Sequence, residues 1–202
     1  MNKKWEIYEC DDKEAEKIAK KYSIPKILAT VLVNRNVVKN EEEARVFLEP
    51  TRNDFHDPFE MPDMNEATTR IMQAIKNKEK VIIYGDYDVD GITSTMILKS
   101  FLDENGLEVG YRIPNRLTEG YGLNMNAIKE IADQGYKLII TVDCGISGID
   151  ETEYAKKLGM EVIITDHHEP LEIIPNAVAV VDCKRADNKY PFKNLAGCRC
   201  CF

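Results

Sequence analysis

The sequence predicts a doubly wound α/β domain with a mostly parallel sheet of about five strands, preceded by a small helical N-terminal region. From about residue 65 of the 202-residue chain, apolar strand candidates alternate with helical segments. Strands that are apolar along their whole length are typical of a parallel sheet covered by helices on both faces. In addition, an aspartate directly follows four of these strands, at the edge where α/β sheets form their binding crevice.

The first part of the chain is predicted to be helical. Three short helices are indicated, over residues 12–22, 24–35 and 40–48. The second has a proline at its first turn, and the third opens with Asn40, a favoured N-cap, and has glutamates in its first turn. Residues 50–64 contain three prolines and predict an extended connector. We therefore expect a helical region with its connector over residues 1–64 and the α/β domain over residues 65–202.

The α/β domain is predicted to open with a helix over residues 65–78. Five strand candidates follow, at residues 80–85, 108–114, 137–143, 161–166 and 177–182. Helical segments separate most of them, at residues 92–106, 124–135 and 148–159. This alternation predicts parallel strands joined by crossover helices.

The composition is that of an ordinary soluble globular protein, with 44% hydrophobic and 31% charged residues. The net charge of −8 gives no overall field that attracts nucleic acid, although a local basic groove can still lie on an acidic protein. The N-terminus lacks an apolar core of signal-peptide length, and no apolar run approaches the ~18 residues of a membrane span. We expect a cytoplasmic protein that does not bind membranes, and no disulfide framework from its six cysteines.

Three alternating aspartates lie at the end of the first predicted strand. Asp86, Asp88 and Asp90 are followed by Gly91, which is how a calcium-binding EF-hand loop begins. That loop requires a closing glutamate, and Ile97 stands in its place. A strand rather than a helix precedes the aspartates, so the sequence argues against a calcium loop of this kind.

Further carboxylates are predicted to meet these aspartates at one edge of the sheet. The aspartates that directly follow strands are Asp86, Asp143, Asp166 and Asp182. A single aspartate in such a place is often only a helix cap, but capping does not account for Asp88, Asp90 or the sequence Asp-His-His at 166–168. Crowded carboxylates repel one another, so either some of them are protonated, with a raised pKa, or a cation neutralises them. Oxygen ligands combined with imidazole favour Mn²⁺ or Mg²⁺, and a shared carboxylate would bridge two such ions.

The histidines and one cysteine complete the candidates. His56 lies in the proline-rich connector, which predicts a surface residue. His167 and His168 are adjacent, so their side chains point in different directions; we expect one to bind metal and the other to face substrate. Cys144 follows Asp143 and is predicted to be a small buried side chain rather than a nucleophile.

The ordered motifs Asp-Tyr-Asp-Val-Asp-Gly, Thr-Val-Asp-Cys-Gly-Ile-Ser and Thr-Asp-His-His-Glu-Pro resemble the first three motifs of the DHH phosphoesterases. Residues 113–123, residues 190–197 and the N-terminal part from Trp5 to residue 71 resemble RecJ-type single-strand-specific exonucleases within that superfamily. The resemblance implies a metal-dependent 5′-to-3′ exonuclease that acts on single-stranded DNA in repair and recombination. It also implies Mn²⁺ or Mg²⁺ as cofactor, with two ions in the full-length enzyme.

The resemblance implies a role for each matching residue. It implies metal ligands at Asp86, Asp88, Asp90, Asp143 and His167, which with His168 form the catalytic set. It implies that Asp166 orients the histidines and that Arg116, Tyr121 and His168 lie near substrate phosphates. Arg116 considered alone could equally form a surface ion pair. Single-stranded DNA, a single-strand-binding protein and a helicase are the implied partners of a monomer.

The chain departs from the family after Gly197, where it has Cys-Arg-Cys-Cys-Phe in place of the usual Val-Gly-Val-Ala-Phe-Lys. One inserted nucleotide in the Gly197 codon of that family sequence reproduces residues 197–202 and a stop. We therefore expect a frameshifted, C-terminally incomplete exonuclease that is weak or inactive by itself. The alternative, a zinc site, lacks a Cys-x₂-Cys spacing and a partner pair of ligands.

Two other functions fit parts of the pattern. One is a DHH-family phosphoesterase that acts on short oligoribonucleotides or cyclic dinucleotides, or an inorganic pyrophosphatase. The other is a phospho-accepting receiver domain, in which Asp143 would be the acceptor and Lys184 the lysine after the last strand. The receiver interpretation leaves the two adjacent histidines unexplained.

Overall fold

The computed structural model describes residues 4, 6 and 9–200. The chain forms two compact units, Met1–Phe55 and His56–Phe202. Trp5 and Cys201 lie outside the described residues. The domain boundary expected after residue 64 stays a prediction.

The N-terminal unit contains the three predicted helices, α1 (Asp12–Lys21), α2 (Lys26–Asn34) and α3 (Glu41–Leu48). Asn40 caps α3 as expected, since its side chain accepts hydrogen bonds from the N–H groups of Glu42 and Glu43. Pro25 lies immediately before α2 rather than in its first turn. The helices pack around a small core of Ala15, Ile18, Ala29, Leu32, Val38 and Ala44.

An ion pair joins α3 to the segment that follows it. The Arg45 guanidinium donates to both carboxylate oxygens of Asp54, at 2.5 and 3.2 Å, and Thr51 donates to Asp54 as well. These hydrogen bonds, that of Arg45 foremost, hold the pKa of Asp54 well below its usual range. Asp54 lies in one of two short 3₁₀ turns, Arg52–Asp54 and Pro58–Glu60, so the connector is not fully extended as predicted.

Asp54→Asn is expected to destabilise the chain at neutral pH and to have a smaller effect at pH 3, where part of the stabilisation by the carboxylate is already lost. A carboxylate whose folded pKa is lowered stabilises the fold above its unfolded pKa, and that contribution disappears as the pH falls through the folded value. Urea unfolding at pH 7 and pH 3, followed by circular dichroism, measures the difference. Glu49→Gln, which removes an exposed carboxylate from the same segment, is the control. An equal effect of Asp54→Asn at both pH values would contradict the expectation.

The second unit is the predicted doubly wound α/β domain. Its helices are α4 (Met64–Asn77), α5 (Val89–Glu104), α6 (Met125–Asp133), α7 (Ile149–Lys157) and α8 (Gly197–Cys200). Its strands are β1 (Val81–Gly85), β2 (Val109–Arg112), β3 (Leu138–Val142), β4 (Glu161–Asp166) and β5 (Ala179–Asp182). The strands form one sheet in the order β2-β1-β3-β4-β5, and every pair is parallel. The fold class predicted from the sequence is confirmed.

The sheet is buried on both faces because β1 alternates its side chains between two cores. Val81 and Ile83 pack with residues of α4 and α5 on one face. Ile82 and Tyr84 pack with residues of α6 and α7 on the other. Strands that are apolar on both sides explain the continuous apolar runs seen in the sequence. None of the described helices combines the length and apolar character needed to span a bilayer.

The strand order creates a crevice between β1 and β3. The chain leaves β1 for β2 on one side and then crosses back to β3 on the other side of β1. The connections therefore diverge at the carboxyl ends of β1 and β3, where open α/β sheets bind their ligands. Asp86 and Asp143 are the first residues after these two strands.

Candidate metal centre

The structure brings the predicted acidic residues together at one edge of the sheet. Asp86, Asp143, Asp166 and Asp182 are all at most 3% exposed. Two groups of side chains place possible ligand atoms within 4.8 Å of one another: Asp86, Asp88 and Asp143 form one, and Asp143, His167 and His168 form the other. Asp143 belongs to both groups, which is the arrangement that a bridging carboxylate requires.

Asp143 is held in a strained, buried position. Its backbone is left-handed, with φ at 59°, and its N–H donates to the carbonyl of Thr165 at 3.0 Å. Its Oδ1 lies 3.0 Å from His167 Nε2. Burial, followed by the nearby charges of Asp90 and Asp88, raises the pKa of Asp143 to about 7. A bound cation would relieve this unfavourable environment.

Asp86 and Asp88 form the wall contributed by β1. Asp86 Oδ1 is buried without a hydrogen-bond partner among the described residues, and burial raises the pKa of this carboxyl. Asp88 also caps α5, because its Oδ1 accepts from the N–H of Gly91 at 3.0 Å. This cap starts α5 at Val89, three residues before the start predicted from the sequence. Asp88 is therefore both the N-cap of α5 and a member of a group of possible metal ligands, although the sequence by itself presented these as alternative explanations.

Asp90 is placed differently from its neighbours. Its two oxygens accept hydrogen bonds from the N–H groups of Gly197 and Cys198, at 2.7 and 2.8 Å. Burial by itself raises the pKa of Asp90, but these hydrogen bonds bring it below its ordinary value. His167 Nε2 lies 3.6 Å from Asp90 Oδ2, yet Asp90 belongs to neither group of possible ligands. Its role as a metal ligand stays a prediction.

Asp166 holds the histidine pair. It accepts hydrogen bonds from the N–H groups of Ile146, His167 and His168, and its Oδ1 lies 2.7 Å from His168 Nδ1. The hydrogen bond to Asp166 raises the pKa of His168. Asp166 is therefore in a position to fix the orientation of His168, the arrangement expected of a carboxylate behind an imidazole.

A loop over residues 113–123 lies beside the histidines. Tyr121 Oη is 3.2 Å from both ring nitrogens of His168. The loop is tied to the sheet by Tyr84, whose hydroxyl donates to the carbonyl of Gly122 at 3.1 Å and accepts from Asn124 Nδ2 at 3.2 Å. The hydrogen bond from the buried Tyr84 of β1 to Gly122 therefore fixes the position of the neighbouring Tyr121 beside His168.

Tyr84→Phe is expected to loosen this loop. Removing one hydroxyl leaves the Gly122 carbonyl and the Asn124 amide without that partner, which costs about 1–2 kcal/mol. Because Arg116 lies in the loop, we expect faster tryptic cleavage after Arg116 and a lower free energy of unfolding. Tyr154→Phe, in α7, is the control, since no hydrogen bond of its hydroxyl is seen among the described residues. Equal cleavage rates in the two variants would contradict the expected role of Tyr84.

The sequence did not single out Tyr87, yet it lies against the predicted substrate residues. The Arg116 guanidinium carbon is 5.3 Å from the centre of the Tyr87 ring. The Tyr87 and Tyr121 rings meet edge to face at 6.5 Å. The feature of the sequence that could have drawn attention to Tyr87 is its position between Asp86 and Asp88 in the first acidic motif.

Two other sequence predictions concern burial. Cys144 is fully buried and His56 is exposed, as predicted.

The donors present fit a hard divalent cation. Together the two groups offer carboxylate oxygens and imidazole nitrogens, and neither includes a thiolate. Such a set suits Mn²⁺ or Mg²⁺ better than Zn²⁺. The unpartnered Asp86 oxygen and the raised pKa of Asp143 show that the protein alone leaves these carboxylates incompletely satisfied.

Residues 80–202 match the family described as "DHH family, N-terminal domain", and the chain belongs to this family. It is also 45% identical over 194 residues to the single-stranded-DNA-specific exonuclease RecJ of Bacillus subtilis (strain 168). That match covers 96% of this chain but 25% of the relative, so the chain spans about a quarter of the length of this relative.

Solved structures of RecJ share the fold. A RecJ exonuclease bound to manganese is 31% identical, with a TM-score of 0.66, and the match covers 73% of this chain and 37% of that one. RecJ from Thermus thermophilus in complex with Mn²⁺ is 25% identical, with a TM-score of 0.70 over 94% of this chain and 26% of that one. The strand order is also that of receiver domains, so family membership rather than topology argues against the receiver alternative.

Proposed function

We propose that the chain carries the metal-binding part of a cytoplasmic 5′-to-3′ exonuclease that hydrolyses phosphodiester bonds of single-stranded DNA during repair and recombination. The observation that carries the proposal is the sharing of Asp143 between two groups of possible metal ligands. The similarity to RecJ relatives supports the choice of substrate. On that similarity alone we add a single-strand-binding protein and a helicase as partners of a monomeric enzyme that does not bind membranes.

The proposed ligands are Asp86, Asp88, Asp90, Asp143 and His167. Two Mn²⁺ or Mg²⁺ ions held by such a set would supply Lewis-acid chemistry, activating a water molecule and offsetting negative charge on the phosphate. The ends of β1, β3 and β4 and the first turn of α5 carry these residues, which supports a preorganised set of donors.

The remaining residues act on the substrate side. His168, oriented by Asp166, is placed to donate a proton or hydrogen bond to a phosphate oxygen. The Tyr121 hydroxyl also lies within 3.2 Å of the His168 ring nitrogens. Arg116 offers a planar set of N–H donors that suits phosphate. Together these three side chains would bind and orient the phosphodiester.

Asp88→Asn tests the metal site. Asparagine keeps the N-cap of α5 but removes the charge, so we expect a normal fold and Mn²⁺ affinity weakened at least about tenfold. Isothermal titration with Mn²⁺ measures the affinity. Asp150→Asn, which removes an exposed carboxylate from α7, is the matched control. Equal Mn²⁺ affinity in the two variants would argue against Asp88 as a ligand.

The substrate is tested by incubating the chain with Mn²⁺ and 5′-phosphorylated single-stranded DNA, duplex DNA, short RNA or a cyclic dinucleotide. We expect weak hydrolysis confined to single-stranded DNA. Preferential cleavage of the RNA or the cyclic dinucleotide would favour the alternative phosphoesterase function. Complete processive digestion of DNA would contradict the expectation that the 202-residue chain is weak by itself.

A further inference from the structure

Arg116 is an arginine without a carboxylate partner among the described residues. Within the same unit, Arg70, Arg112 and Arg185 each form ion pairs with acidic side chains. Arg116 is exposed, and its guanidinium lies over the face of the Tyr87 ring. In a chain with a net charge of −8, a cation that no carboxylate neutralises near the metal centre is available for a substrate anion.

Tyr87 connects Arg116 to the histidines through contacts between rings. The Tyr87 ring meets Tyr121 edge to face, and the Tyr121 ring in turn lies 5.7 Å from that of His168. Tyr87 is half-buried, and its neighbours Asp86 and Asp88 both belong to the candidate metal centre. The position of the Tyr87 ring is therefore tied to that of the metal ligands.

Support from an aromatic ring differs from support by a carboxylate. A carboxylate occupies guanidinium N–H groups and cancels the charge, whereas a ring face attracts the cation while leaving all five N–H donors free. The cation–π attraction at a partly exposed site is small, so the ring orients the arginine side chain without preventing it from moving to bind an anion. A guanidinium held in this way suits a phosphate that binds and leaves repeatedly.

We propose that Tyr87 is a positioning residue whose ring holds the Arg116 guanidinium ready to bind a backbone phosphate of single-stranded DNA beside the metal centre. The proposal rests on the proposed function and deepens it, since it assigns Tyr87 a task that acts only through Arg116. The hydroxyl of Tyr87 is not needed for this task, and its ring is.

The test is the affinity of the 202-residue chain for a 3′-labelled single strand with phosphorothioate linkages, which resist hydrolysis, measured by fluorescence anisotropy. We expect Tyr87→Phe to bind like the unsubstituted chain and Tyr87→Leu to bind about two- to fivefold more weakly. Arg116→Ala should weaken binding at least as much. Adding Tyr87→Leu to Arg116→Ala should cause no further loss, because the two residues act as a unit. Tyr111→Leu, at an exposed tyrosine of the edge strand β2, is the matched control.

Mn²⁺ affinity and circular dichroism of each variant separate positioning from misfolding. Two results would overturn the role of Tyr87 and leave the proposed function standing. One is an unchanged affinity of Tyr87→Leu for the single strand. The other is that Tyr87→Leu weakens binding by the same factor when Arg116 is already alanine. If the unsubstituted chain binds Mn²⁺ but not the single strand, the proposed substrate fails and the role of Tyr87 fails with it.

Discussion

Asparagine in place of Asp143 is expected to stabilise the metal-free chain and to abolish its Mn²⁺ binding. Asp143 is 1% exposed, and burial together with Asp90 and Asp88 raises its pKa to about 7. A neutral amide removes the unfavourable charge and also removes the carboxylate shared by both ligand groups. Asparagine is the suitable replacement because it tolerates the left-handed backbone found at this position, where φ is 59°.

The stabilising effect should depend on pH in a defined direction. The folded pKa of about 7 lies above the ordinary value of 3.8, so the folded chain binds the extra proton between these limits. The free energy of unfolding contributed by Asp143 therefore falls as the pH rises from about 4 to about 7. Asparagine does not titrate, so the Asp143→Asn variant does not lose this stability. A shift of about three units corresponds to roughly 4 kcal/mol, and because neighbouring carboxylates share the repulsion, we expect a gain of about 2–4 kcal/mol at pH 8.

Chemical unfolding in the presence of EDTA at pH 4 and pH 8, with Mn²⁺ titration of the same variant, measures both effects. Asp182→Asn is a matched control, since Asp182 is equally buried and its pKa is also raised to about 7, chiefly by burial. Asp182 lies outside both ligand groups. We expect Asp182→Asn to stabilise the chain and to keep Mn²⁺ binding. Retained Mn²⁺ binding in Asp143→Asn would refute a shared ligand at this position.

Alanine in place of Gly91 is expected to destabilise the chain by about 3 kcal/mol and to disrupt the metal centre. A Cβ at Gly91 would lie 2.5 Å from the carbonyl oxygen of Asp86 and 2.7 Å from its carbonyl carbon and nitrogen. Backbone atoms cannot move aside as a flexible side chain does. Alanine improves helix propensity by about 1 kcal/mol, and the collision is expected to exceed that gain.

The relief of this collision must separate α5 from the end of β1, which moves Asp88 relative to Asp86. We therefore expect Mn²⁺ affinity to fall at least about tenfold along with the unfolding midpoint. Gly106→Ala is the control: its φ is +80° and a Cβ there meets nothing within 4 Å, so only the backbone cost of about 1 kcal/mol applies. Similar losses in the two variants would show that close packing at Gly91 has no special importance.

The strand-end aspartates illustrate how far a linear pattern can go. Apolar runs followed by Asp86, Asp143 and Asp166 predicted both the parallel sheet and the meeting of these residues, because parallel strands present their carboxyl ends at one edge. The glycine after Asp90 could be noticed as a motif residue, but its need for close packing against Asp86 became visible only when α5 was placed on β1. Likewise, Tyr87 stood between two candidate ligands without any indication of its contact with Arg116.

The sequence by itself predicted the fold class, most of the helices and strands and a set of candidate ligands, since each depends on local periodicity and residue chemistry. Only the tertiary structure decided which of the candidate ligands lie close enough together to form each of the two groups. It placed Asp143 in both groups and turned the Asp90 oxygens toward the N–H groups of Gly197 and Cys198. It also brought Arg116 over Tyr87. These contacts join residues up to 108 positions apart, and such distances depend on how helices and loops pack against the sheet, which no local pattern encodes.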